Sequence, residues 1–214
     1  MELKTRWSQS FGTESEAETV WQWIESAYSE RHRAYHTLAH LEQCFKEFDS
    51  VGSDLTPTDR SIIELAIWFH DSVYQPHQSD NEEESVKLFR NAAGVLQLPT
   101  SVVEPVSNFI LETKHAGPNP ERSELCQMFL DIDLSILGQD QATYEQYATQ
   151  VRQEYEWVPW EIYTVKRTEI LERIRSWSPI YQTPALHKKY ELQAKMNLSR
   201  AIANLTYKPL DPVC

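Results

Sequence analysis

Between Ile62 and Phe69 the chain reads IIELAIWF, apolar at nearly every position, and it runs directly into His70 and Asp71. A helix that is apolar all round has to be buried. Just upstream, Thr56-Pro57-Thr58-Asp59 supplies a helix start: a threonine able to cap, a proline at the first helical position and an aspartate near the positive helix end. A central helix should therefore end by delivering an imidazole and a carboxylate to the edge of the core. Buried polar and charged groups need partners. A metal ion would satisfy both at once; a helix end open to water is the alternative.

The same helical period recurs along the chain. Val20, Trp21, Ile24 and Tyr28 mark a first helix over roughly 14–30, and Leu38, Leu41, Phe45 and Phe48 mark a second over roughly 37–50. Beyond the polar loop SVYQPHQSD, a helix resumes with Asp80 as its expected cap. Another starts near Thr100 and tolerates Pro105 in its first turns. After the turn GPNPERS, Leu125, Met128, Phe129 and Ile132 open a helix ending near Gly138. Helices over roughly 140–157 and 160–177 follow, then one from Pro184 to about Leu205. The expectation is all-α: one compact helical bundle of about eight to nine helices, a single domain over 1–214 with a loose tail from about 206. The chain has only 5 glycines, and alternating β-branched runs are few, which argues against sandwiches, barrels and glycine-rich phosphate loops.

No apolar run approaches the ~18 residues a membrane helix needs, and MELKTRWSQSFGTESEAE has no apolar signal core. A soluble, cytoplasmic protein with no membrane partner is expected. Cys44, Cys126 and Cys214 form no C-x-x-C pair, and the first two read as buried, inert thiols. The net charge of −12 repels polyanions, so duplex nucleic acid is not an expected partner. A small phosphorylated molecule remains open, because a bound cation dominates the field of a single pocket. The sequence leaves a homodimer open as well.

His36 and His40 are four residues apart and share one helix face, as metal ligands and proton carriers or as an exposed pair. In FLDIDLSILG, Asp131 and Asp133 interrupt an apolar stretch. Two imidazoles with carboxylates suit zinc, manganese, iron, nickel or cobalt, or magnesium with more water, as one ion or two.

YHTLAHLEQC, AIWFHDSVY, SDNEEES, ILETKH, LDIDLSILG, VRQEY, KRTEIL and AKMNL occur in that order over almost the whole chain. The ordered set resembles the HD superfamily of metal-dependent phosphohydrolases, and most closely a branch described as predicted HD-type phosphohydrolases. The resemblance implies a divalent metal held by His40, His70, Asp71 and Asp133. His36 would be the proton donor, as in phosphodiesterases of that superfamily that carry Y-H-x-x-x-H. A simpler alignment makes His36 a ligand, and Asp131 is the alternative to Asp133. Asp71 would also orient water. In SDNEEES, Glu82 is a candidate base and Asp80 a candidate ligand of a second ion, against the plainer reading that acidic residues favour a helix start. His115 is a further candidate ligand, or a favourable charge at a helix end. Arg152 in VRQEY is a candidate grip on phosphate. Tyr155, Trp157, Trp160 and Tyr163 either stack on a base or pack a helix junction. The function implied is hydrolysis of a small, nucleotide-like phosphomonoester or phosphodiester. No purine-clamp glutamine is evident, so cyclic nucleotides are not implied. The other two readings are an HD-type di-iron oxygenase, with His36 and His115 both on iron, and a non-catalytic ligand sensor.

Overall fold

A computed structural model describes residues 2–114 and 117–206. Among them lie ten α-helices and no strand: α1 (Leu3–Phe11), α2 (Ser15–Ala27), α3 (Leu38–Val51), α4 (Pro57–Phe69), α5 (Asn81–Val95), α6 (Thr100–Glu112), α7 (Glu124–Asp133), α8 (Gln141–Glu154), α9 (Trp160–Ser176) and α10 (Pro184–Thr206). A 3-10 turn, Leu134–Gly138, follows α7. The tail expected beyond 206 lies outside the described residues.

Helix α4 is the hub. Thr56 accepts the Asp59 N–H at 3.1 Å, Pro57 occupies the first turn, and every residue from Ile62 to Phe69 is buried. It packs against α3, α5, α6 and α7. Truncating one such side chain costs roughly 2–5 kcal/mol, against about 5–15 for the whole fold. A helix with this much fully buried surface therefore decides whether the fold forms. Helix α10 packs along α9 and the 3-10 turn, completing a second layer with α8.

Helix α1 departs from the sequence reading, which began the first helix near residue 14. LKTRWSQSF is short, but it spaces Leu3, Trp7 and Phe11 along one face, and Trp7 is fully buried. Its indole N–H donates to the Ala17 carbonyl at 2.8 Å, and its ring meets Trp68 edge to face. Arg6 is buried beside it, bonded to Asp49 and Glu64. Leu3, Trp7 and Phe11 form a short apolar stripe on the core, and the ion-paired Arg6 anchors the helix beside it. Asp80 does occupy the N-cap position of α5 but makes no side-chain capping bond. Asn81 pins the preceding loop instead, accepting from the Gln75 N–H at 2.9 Å and donating to its carbonyl at 3.1 Å.

Candidate metal centre

Helix α4 stops at Phe69, and His70 caps its C-terminal end with its N–H on Ala66 O at 2.9 Å. The His70 side chain turns inward and is 1% exposed. Its Nδ1–H donates to the Ile67 carbonyl at 2.9 Å, which leaves Nε2 facing the centre of the bundle. A second-nitrogen bond to a carbonyl is how metal-binding histidines are usually held. Asp71 follows, its backbone N–H on the buried Tyr28 hydroxyl at 3.3 Å.

The loop before α3 is tied to this helix end by Arg33. Its Nη1 donates to Asp71 O at 2.7 Å and His36 O at 3.0 Å, and its Nη2 to Ser72 O at 3.3 Å. The negative end of α4 favours a cation there. Buried and committed to carbonyls, Arg33 is part of the scaffold. His40 then enters on the first turn of α3, and Asp133 is the last residue of α7.

Four side-chain atoms from three segments converge. His40 Nε2 lies 3.0 Å from His70 Nε2, 3.2 Å from Asp133 Oδ1 and 3.9 Å from Asp71 Oδ2. His70 Nε2 lies 3.2 Å from Asp71 Oδ2 and 3.5 Å from Asp133 Oδ1. An ion with ligands at about 2.1 Å sets neighbouring ligands roughly 3.0–3.4 Å apart, in octahedral or tetrahedral order. The observed spacings bracket that range, so the cluster fits a metal ion. Cys44 Sγ also lies 3.7 Å from His40 Nε2, and it shares a potential ligand group with His40 and Asp133. Burial pushes that thiol well above its ordinary pKa, with Asp133 and Asp71 adding to the effect. It stays a protonated neighbour unless a cation displaces the proton.

The charge pattern points the same way. Burial works against a proton on His70, but Asp71 and Asp133 overturn it and raise His70 well above the imidazole range. For His40 burial prevails, with His70 pushing in the same direction, and its pKa falls. Burial also works against charge on Asp71, yet His70 and His36 hold it well below the carboxylate range. The cluster thus gathers positive charge between two carboxylates, as a cation would.

His36 stands at the rim. Its Nδ1 donates to Glu154 Oε2 at 2.7 Å, and its Nε2 faces Asp71 Oδ2 at 3.9 Å. Its ring stacks on Tyr74 at 4.1 Å. Glu154, the last residue of α8, has a side chain with no solvent exposure. Its Oε1 accepts the N–H groups of Ala34, Tyr35 and His36 at 2.8, 2.8 and 3.0 Å, and the Tyr74 hydroxyl donates to Oε2 at 3.0 Å. Burial raises this carboxyl, but the bonds to His36 and the loop amides outweigh it and lower it to about 2. Glu154 therefore orients His36. Sequence reasoning singled out Arg152 from VRQEY and passed over Glu154 two residues later. A signal was present: a glutamate in the last turn of a helix opposes the macrodipole and needs a compensating reason.

Other candidates lie elsewhere. Asp131 is buried and faces the start of α10, where it accepts from the N–H groups of Gln182 and Thr183 at 2.9 and 2.7 Å and from the Thr183 hydroxyl at 2.6 Å. It anchors a helix, and no potential ligand group among the described residues contains it. Arg152 donates to the carbonyls of Tyr155 and Val158 and covers the rings of Trp160 and Tyr163, away from His36. Asp80 joins no ligand group among the described residues, and His115 lies outside the described residues.

Over the cluster opens a cavity of about 290 Å³ walled by His36, Asp71, Tyr74, Glu82, Thr113, Asp133 and Tyr155, among others. Glu82 is thus placed on the wall. No lysine or arginine among the described residues lines it. None of the described helices is long and apolar enough to cross a membrane. Comparison of the chain with protein-family models, with curated proteins and with solved structures finds no match.

Proposed function

We propose that the chain is a metal-dependent hydrolase of a small phosphate ester, working in the manner of HD-type phosphohydrolases. The observation that carries the reading is the approach of His40 Nε2 and His70 Nε2 to 3.0 Å, with Asp71 Oδ2 and Asp133 Oδ1 each lying 3.2–3.9 Å from both. These four would hold one divalent ion. When bound, such an ion makes water more acidic and offsets charge on a phosphoryl oxygen. The protein's own groups do the rest. Glu154 keeps the His36 Nδ1 proton in place, so Nε2 is the position that exchanges protons with a substrate. His36 donates there to the leaving oxygen. Asp71 faces the same Nε2 across 3.9 Å, and Glu82 offers a second carboxylate on the wall to take a proton from the attacking water. With no lysine or arginine among the wall residues, a phosphate in this cavity relies on the ion to meet its charge. The cavity volume suits one small ester rather than a polymer.

The test is metal analysis of the purified protein, followed by phosphate release from a panel of phosphomonoesters and phosphodiesters with each divalent ion. Asp71→Ala is expected to empty the site, and His36→Ala to keep the metal but lose turnover. Full metal content in Asp71→Ala would remove the site as drawn. Loss of metal in His36→Ala would make His36 a ligand. Two irons per chain with dioxygen-dependent turnover would replace hydrolysis by oxygenation.

A further inference from the structure

A second cavity, of about 330 Å³, lies between α8, α9 and α10. Its wall includes Tyr144, Arg152, Trp160, Tyr163, Arg167 and Arg200. Three arginines converge there in a chain whose net charge is −12. No ion pair among the described residues involves any of them. Arg152 is satisfied by carbonyls, and Arg200 reaches only the Asn197 side chain at 3.3 Å. Arg167 has Nη2 on the Tyr147 hydroxyl at 2.8 Å and its guanidinium over the same ring. A sheltered guanidinium without a carboxylate is costly to fold around. Beside it, Tyr144 is 2% exposed and its hydroxyl has no hydrogen-bond partner. Buried tyrosine hydroxyls nearly always find one. The single acid on the wall, Glu145, is on the exposed side of α8 and engaged by Gln141.

Cations without carboxylate partners in one aromatic-walled space make a receptor for an anion with a flat apolar body. We infer that this cavity is a binding site for a small organic anion, its acidic group held by Arg167 and Arg200 and its body packed against the Trp160–Tyr163 wall. Arginine suits this role twice over, since its plane both stacks on rings and forks onto an oxyanion. The site is distinct from the metal centre and does not depend on the reading of that centre.

Isothermal titration of the full chain tests it with three probes: naphthalene-1-sulfonate, which carries charge and ring, the neutral 1-naphthalenemethanol, and inorganic sulfate. The sulfonate is expected to bind saturably at one site per chain, with the alcohol and sulfate each at least tenfold weaker. Ala201→Phe, which fills the cavity, and Arg167→Gln should each weaken the sulfonate at least tenfold, with folding checked by thermal melting. Asp71→Ala should bind it as the unaltered chain does. Absence of saturable binding, or equal binding of the alcohol, overturns the inference without recourse to any variant. Unchanged affinity in a folded Ala201→Phe overturns it too, and loss of binding in Asp71→Ala would move the probe to the metal centre.

Discussion

Two cavities of similar size border helix α8, and they are electrostatic opposites. The one at its C-terminal end, reached through Tyr155, is walled by the carboxylates of Asp71, Glu82 and Asp133 and by no lysine or arginine among the described residues. The one along Tyr144 to Arg152 is walled by three arginines and one exposed glutamate. Net charge foretells neither, because a pocket's field is set by the few groups nearest to it. The first sets imidazoles beside carboxylates, the second sets guanidinium groups against aromatic rings. α8 serves both, lending Glu154 to one and Tyr144 and Arg152 to the other.

The contrast breaks most decisively at Asp71. Asp71→Ala is expected to lose bound metal and at least ~10³-fold in turnover, about 4 kcal/mol of transition-state stabilisation, while helical circular dichroism is retained. Metal content and phosphate release measure it together.

Glu154→Gln should lower turnover by ~10², within the range for a proton-transfer group made ineffective, and leave metal content unchanged. The same substitution sharpens the comparison through acid stability. The folded carboxyl sits at about 2, below its ordinary 4.5, so its stabilisation is complete above pH 4.5 and disappears as pH falls through 2. Denaturant melts of the two proteins should differ most near neutrality and converge across that acid window. A constant difference would mean that Glu154 is not anionic in the fold.

Asp131→Ala should cost about 2–3 kcal/mol in urea unfolding, since it strands buried donors at the start of α10, with metal content unaltered. Loss of metal would return Asp131 to the ligand set. The smallest effect is expected at Arg152: Arg152→Gln should change ester turnover by less than about threefold, because its donors are spent on carbonyls and its guanidinium covers the other cavity. A tenfold change would place Arg152 in the reaction.

What the sequence made legible follows from where each side chain obtains its partners. Helix α4 and the His70–Asp71 step could be read because burial on every face is a local property of eight consecutive residues. The all-helical class followed from the same periodicity. His40 against His36, and Asp133 against Asp131, stayed paired alternatives, since residues two to four apart differ mainly in which distant element they meet; His36 in fact lies in the loop before α3 and shares no helix face with His40. In the structure His40 and Asp133 face His70, whereas His36 meets Glu154 and Asp131 meets Thr183. Helix α1 escaped because its apolar stripe is only Leu3, Trp7 and Phe11, and its other anchor, Arg6, pairs with Asp49 and Glu64 far along the chain. Glu154 escaped because its partners lie 80–120 residues earlier in the chain.

That last separation bears on timing. All four converging donors belong to the chain up to Asp133, whereas the carboxylate that steadies His36 arrives with α8 and must close a loop of some 120 residues onto Ala34, Tyr35 and His36. Under the proposed function, retention of an ion and competence to transfer a proton would therefore rest on separate parts of the chain. A displacement of α8 by roughly 1 Å slackens three amide bonds and one imidazole bond together, a misplacement that costs on the order of 10² in rate, and leaves His40, His70, Asp71 and Asp133 where they were. Under the proposed function, such a displacement would give an idling state in which the ion stays and the reaction waits.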